Sequence, residues 1–151
     1  VLSNFTHTKK EGGFKGLHDR VGRPGTVDAG IIDAGKHEDS DLTIAEIGFE
    51  NEFGTDIIPE RSFIRSTVQG KKRNIIELRK KLFKKILKGY IEIDKALALL
   101  GELLSDEIRK KIVAIREPPN APRTLEEKYP KTNPLINTSQ LKNSITYKVN
   151  R

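Results

Sequence analysis

Two apolar stripes at helical spacing, separated by one short break at Gly89, constrain this chain more than any other feature. Over 62–88, Ile64, Val68, Ile75, Leu78, Leu82, Phe83, Ile86 and Leu87 fall mostly on one side at a period of 3.6 residues, and Gly89 closes the run. Over 93–116, Leu97, Leu100, Leu104, Ile108, Ile112 and Ile115 repeat the pattern. Asp94 near the start of the second run and Arg109, Lys110, Lys111 and Arg116 near its end suit the helix dipole. So short a connection makes the two helices antiparallel neighbours.

Outside this hairpin the period changes. Between 26 and 33, Val27, Ala29 and Ile31 alternate with Asp28 and Gly30, as in a half-buried strand. Near the C-terminal end Ile145, Tyr147 and Val149 alternate with Thr146 and Lys148, which supplies a partner. The spacing of Leu42, Ala45, Ile47, Phe49 and Phe53 predicts a short helix over 42–53, closed by Gly54, with Asp41 as its cap and Phe49 and Phe53 packing on the core. Residues 1–20 have no period and read as a flexible arm. Pro118, Pro119, Asn120, Ala121 and Pro122 end the second long helix, and 117–140 reads as an extended loop with at most a helical turn at 124–128. One further turn is expected at 141–144.

The expected architecture is therefore α+β. Two long antiparallel helices and a short one pack on a small antiparallel β-sheet, in a single domain over 21–151 with a long N-terminal arm and a long loop. At 151 residues the chain is long enough for one core and too short for a second.

The same residues restrict the chemistry. The absence of cysteine removes disulfides, thiolate zinc sites and cysteine nucleophiles. His7, His18 and His37 are scattered, and in the run His37, Glu38, Asp39, Ser40, Asp41 adjacent side chains diverge, as in a solvated acidic loop. The Asp-Ala-Gly triplets at 28–30 and 33–35 offer isolated carboxylates, not a converging cation loop. No nucleophile elbow or phosphate-cradling glycine loop occurs. The chain is expected to be no enzyme, to carry no cofactor or metal, and, lacking a long apolar run or a signal-peptide core, to be soluble and unexported.

The net charge of +7 gathers on the first long helix, where Lys71, Lys72, Arg73, Arg79, Lys80, Lys81, Lys84, Lys85 and Lys88 crowd together. Most of these lie opposite the apolar stripe, as any solvated face does. Lys80, Lys81, Lys84, Lys85 and Lys88 suit a weak, salt-sensitive contact with DNA phosphates, but stacking aromatics and recognition motifs are missing from this face. A basic nucleic-acid-binding protein is the alternative this helix keeps open.

Three segments together resemble the tail completion, or neck, proteins of long-tailed bacteriophages, including the related virion morphogenesis proteins. The first is Ile47-Gly48-Phe49-Glu50-Asn51-Glu52-Phe53-Gly54-Thr55 followed by Ile58-Pro59-Glu60-Arg61-Ser62-Phe63-Ile64-Arg65. The second is Pro118-Pro119-Asn120-Ala121-Pro122, and the third runs from Pro134-Leu135-Ile136-Asn137-Thr138-Ser139-Gln140 to Tyr147. Asn137 and Ser139 depart from the Asp and Gly frequent in that family, and Ser accepts a left-handed turn less readily than Gly.

The resemblance implies a non-enzymatic structural subunit of the virion, assembled in the host cytoplasm and placed at the head-tail junction. It further implies a homo-oligomeric ring, a hexamer in such proteins, that docks a tail terminator and a head connector or stopper protein while DNA passes through the lumen, with no membrane involved. On this reading the partner-binding residues are Phe49, Glu52, Phe53, Arg61, Phe63, Arg65, Pro118, Pro119, Asn120, Pro122, Leu135, Asn137 and Thr138. Arg61 and Arg65 are expected to hold Glu50 and Glu52 as a surface ion pair. The arm and the 117–140 loop are the expected docking elements, so that removing 118–134 spares the helices and abolishes joining.

Overall fold

Strand β1 (Thr26–Ile31) pairs antiparallel with β2 (Ile145–Asn150), Thr26 opposite Asn150 and Ile31 opposite Ile145, so that segments near the two ends of the described chain close one small sheet. The computed structural model describes residues 14–22, 25–32, 34–38 and 40–151. The long helix α5 (Ile93–Ala114) lies across the sheet. Gly101 is buried at this crossing, and a Cβ there would run into the ring of Tyr147 on β2. A glycine at the crossing lets the helix backbone come this close to the strand.

Phe63, Ile108, Ile112 and Ile145 are fully buried and form the main core with Ile44, Ile115, Leu135 and Leu141. Each such side chain contributes on the order of 1.5–3 kcal/mol by leaving water. A second cluster lies in the hairpin between α4 (Lys72–Leu87) and α5, where Leu82 and Ile86 meet Ala96 with Leu78 and Leu100 alongside. At the far end of the hairpin Lys71 reaches Glu107 at 2.7 Å, which fixes the two helices as antiparallel. The α+β architecture, the strand pair and the hairpin thus match the periodicity of the sequence.

Four expectations need correction. The helix expected over 62–88 is broken: α3 (Arg65–Gly70) ends at Lys71, and α4 starts from there. Gly70, a poor helix former, marks the break. The helix α2 (Ile44–Phe53) is capped by Thr43, not Asp41. The Thr43 hydroxyl accepts from the Glu46 amide at 3.2 Å, while the Glu46 carboxylate accepts from the Thr43 amide at 2.7 Å, a reciprocal capping box. The arm expected over 1–20 includes a helix, α1 (Phe14–Val21), lying beside α4, and residues 1–13 are outside the described ones.

The 117–140 segment, finally, is not a free loop. It contains α6 (Pro122–Lys128), leads into α7 (Gln140–Asn143), and is bonded to the core along its length. Asn133 Nδ2 donates to the carbonyls of Ile112, Val113 and Ile115 at 3.1–3.2 Å, closing the C-terminal end of α5, while Leu135 is buried in the core. Removing 118–134 would therefore strip α5 of its cap as well as any docking surface. Among the described residues no helix is long and apolar enough to cross a membrane.

Candidate functional site

Helix α2 presents two stripes four residues apart. Ile44, Gly48 and Glu52 face inward and are buried, whereas Ala45, Phe49 and Phe53 face outward. Counting apolar residues selects the wrong stripe, because the inward one holds a glycine and a carboxylate. Phe49 is 64% exposed and Phe53 49%, which corrects the expectation that they pack on the core. Their rings lie 4.7 Å apart, and the Arg65 guanidinium sits 4.4 Å over the Phe53 ring. Ile57, in the turn that follows, is almost wholly exposed.

Glu52 is 3% exposed and makes the chemistry of the inward stripe. Its carboxylate accepts from the amides of Phe63, Ile64 and Arg65 at 2.7, 2.8 and 2.9 Å, from the Ser62 hydroxyl at 2.8 Å and from Arg65 Nε at 3.0 Å. These are the orphan amides at the start of α3, so a side chain from α2 caps the next helix. Burial alone would raise the Glu52 carboxyl. The amides of Ile64, Arg65 and Phe63 with the Ser62 hydroxyl outweigh it and hold the group below its usual range. Arg65 also reaches Glu60 at 2.8 Å and the Glu52 carbonyl at 2.6 Å. The expected surface pair is therefore a buried carboxylate with one arginine at its edge, and Glu50 takes no part in it.

Arg61, also expected to bind an acid, binds carbonyls instead. It is 5% exposed, and its Nε donates to the Pro118 carbonyl at 2.7 Å, one terminal nitrogen to the Pro119 carbonyl at 2.8 Å and the other to Asn51 Oδ1 at 3.0 Å. Its amide donates to the Asn51 carbonyl at 2.7 Å. The turn between α2 and Arg61 is set by Gly54, whose φ of +75° disfavours any side chain and whose Cβ would meet the Glu60 amide at 3.0 Å. Nearby, burial first, then the charges of Arg61 and Lys131, lower the Lys128 ammonium, which donates to the Asn133 carbonyl at 3.0 Å.

The residues read as partner-binding therefore divide. Phe63, Leu135, Glu52 and Arg61 are buried, so none of them presents a surface that a partner could touch. Phe49, Phe53, Arg65, Pro118, Pro119, Pro122, Asn137 and Thr138 are exposed, and Asn120 is half-buried. Ser139, between Thr138 and α7, adopts a left-handed φ of +68°, the conformation a glycine would take without strain. Two residues escaped the sequence reading. Asn133 is signalled by its place before Pro134, a turn dipeptide, and Ile57 by standing between Asp56 and the Ile58-Pro59 step, in a turn rather than on an apolar stripe. Lys80, Lys81, Lys84, Lys85 and Lys88 all lie on the exposed face of α4.

Compared with family models, with curated proteins and with solved structures, the chain matches none.

Proposed function

We propose that the chain is a structural subunit of the neck of a tailed bacteriophage, joining the completed tail to the head connector. One observation carries this reading. The three segments that resemble neck proteins are separated by tens of residues, yet they meet at one node: Arg61 of the first holds the Pro118 and Pro119 carbonyls of the second, and Phe63 of the first shares a core with Leu135 and Leu141 of the third. The three stretches that resemble the family pattern are thus tied to one another by specific bonds and a shared core.

The proposal assigns the chain no catalytic step and no cofactor. Its work is to present a fixed surface, the Phe49–Phe53 pair and the exposed turn at Asn137 and Thr138, to neighbouring virion proteins in a ring around the DNA. Micrographs of particles from an infection lacking the chain test it. Filled heads and finished but separate tails are expected, and normally coupled virions would refute it.

The basic helix supports a second reading. Lys80, Lys81, Lys84, Lys85 and Lys88 are exposed, and no carboxylate lies within ion-pair distance of them among the described residues. A nucleic-acid binder built on this face would bind duplex or single strands with a steep salt slope. Gel shifts at two salt concentrations separate the two readings.

A further inference from the structure

Between helix α2 and the 134–141 turn lies a small cavity of about 100 Å³, with Lys128 at the end of α6 as part of its wall. Ile44, Leu135 and Leu141, all buried, give it an apolar side, and Lys128, Thr138 and Gln140 give it a polar one. Pockets for whole cofactors or drug-sized molecules run to roughly 300–1,000 Å³, so this one takes a single small group.

The polar groups around it have spent their acceptors and kept their donors. The Thr138 hydroxyl oxygen accepts from the Gln140 amide at 3.4 Å, and Gln140 Oε1 accepts from the Glu38 amide at 3.3 Å. This leaves the Thr138 O–H and the Gln140 side-chain N–H groups to give. Of the three Lys128 N–H donors one reaches the Asn133 carbonyl at 3.0 Å, and no other acceptor meets them among the described residues. Charge is equally one-sided. Arg61 and Lys131 are close enough to act on the Lys128 charge, and both bond neutral oxygens only. None of the three cations forms an ion pair among the described residues, and Glu38 is exposed and takes no part in the lining. Burial, and then these two neighbouring charges, accordingly hold the Lys128 ammonium below its ordinary range.

We propose that this cavity is a binding site for a carboxylate on a short aliphatic stem, with Lys128 as counter-ion, Thr138 and Gln140 as hydrogen-bond donors, and Ile44, Leu135 and Leu141 against the methylene groups. A carboxylate only accepts, which matches polar groups with donors to spare, and it brings the negative charge that Arg61, Lys128 and Lys131 lack. A phosphate dianion fits less well. Lys128 is the one lysine or arginine that lines the cavity among the described residues, and the apolar side would face charged oxygens instead of a stem. The stem belongs either to a free short-chain acid or to a glutamate side chain of another protein, and the chemistry of the site is the same for both. The assignment rests on this cavity alone and holds whatever particle the chain serves.

The test follows the backbone amides of the full chain by NMR as sodium propionate is added, with a blocked tripeptide carrying one central glutamate in a second arm and inorganic phosphate in a third. Propionate should shift the amides of Thr138, Ser139 and Gln140 and reach saturation. Lys128→Gln should weaken that binding at least about tenfold and Thr138→Val about threefold, as expected for a charged and a neutral hydrogen bond. Lys95→Gln, near the opposite end of α5, removes the same charge and should leave binding unchanged, which separates a site from the general pull of a chain with a net charge of +7. Circular dichroism confirms that each variant keeps its helices. Saturation by the tripeptide assigns the stem to a partner's glutamate, and saturation by propionate alone assigns it to a free acid; either supports the site. Turn amides that respond to neither carboxylate, binding that survives both Lys128→Gln and Thr138→Val, an equal loss in Lys95→Gln, or tighter binding of phosphate at the same amides would overturn the proposal.

Discussion

The Nε of Arg61 donates to the carbonyl of Pro118 at 2.7 Å, linking two positions 57 residues apart through a buried cation. A planar fork with several donors satisfies two prolyl carbonyls and the Asn51 side chain at once, which a single ammonium cannot do. Arg61→Lys should therefore lower stability by about 2 kcal/mol and Arg61→Ala by about 3 kcal/mol, since hydrogen bonds to charged groups contribute roughly 1.5–3 kcal/mol each and carbonyls are left unmet. Chemical denaturation of the two variants checks both values. Equal stability of wild type and Arg61→Lys would remove the fork from the account.

Glu52 makes the fold sensitive to acid. Its folded value lies below its ordinary 4.5, so its contribution is fully present above that pH and is lost as pH falls through the lower folded value. Wild type should lose stability as pH drops below 4.5, while Glu52→Gln, already destabilised by about 3 kcal/mol through misplaced donors facing the α3 amides, should show a flatter acid limb. Urea titrations at several pH values measure the difference. Parallel pH profiles for the two proteins would contradict the capping role.

Why some of this was readable and some was not comes down to which forces leave a mark on composition. The α4–α5 hairpin and the β1–β2 pair were legible because burial on one face writes a period into the apolar residues. Glu52 was not, because a charged residue enters the core here to satisfy amides that sequence cannot locate until α3 is placed against α2. The spacing of four between Phe49 and Phe53 marks an apolar stripe without saying which way it faces. The anchoring of 117–140 was equally hidden, since Arg61 and Asn133 act through carbonyls, which every residue has.

Gly101 tests the crossing of α5 over the sheet. Alanine would gain about 1 kcal/mol of helix propensity. Its Cβ, however, meets the base of the Tyr147 ring, which cannot swing aside, at an overpacking cost of about 1–3 kcal/mol. Gly101→Ala should be net destabilising by about 1 kcal/mol. Pairing it with Tyr147→Ala removes the two ring atoms that the new Cβ would meet and leaves only the Cβ contact, so a double-mutant cycle read by thermal melting should show coupling between the two positions. Strict additivity would mean that the helix does not rest on Tyr147.

At Ser139 the expected change is a gain. The left-handed conformation costs a non-glycine residue roughly 1–2 kcal/mol, and glycine loses roughly 0.5–1 kcal/mol more entropy on folding. Ser139→Gly should therefore stabilise the chain by about 0.5–1 kcal/mol, while Ser139→Val should destabilise it by more. Midpoints of denaturation for the two variants decide the matter.

Ser105 is 1% exposed on α5, and its hydroxyl has no hydrogen-bond partner among the described residues. Leaving a buried hydroxyl unmet costs about 1–3 kcal/mol, so Ser105→Ala should be neutral or stabilising, unlike most core truncations. A clear loss of stability on calorimetry would show that the hydroxyl is bonded after all.

The most direct measurement of the proposed joining role is reconstitution. Heads and tails are taken from an infection lacking the chain, purified chain is added, and joined particles are counted by electron microscopy against the amount added. The account predicts that coupled virions appear in proportion to the added protein up to a saturating dose, and that the Phe49→Ser, Phe53→Ser double variant, though folded, fails to restore them. Coupling that proceeds to the same extent without the chain would contradict it.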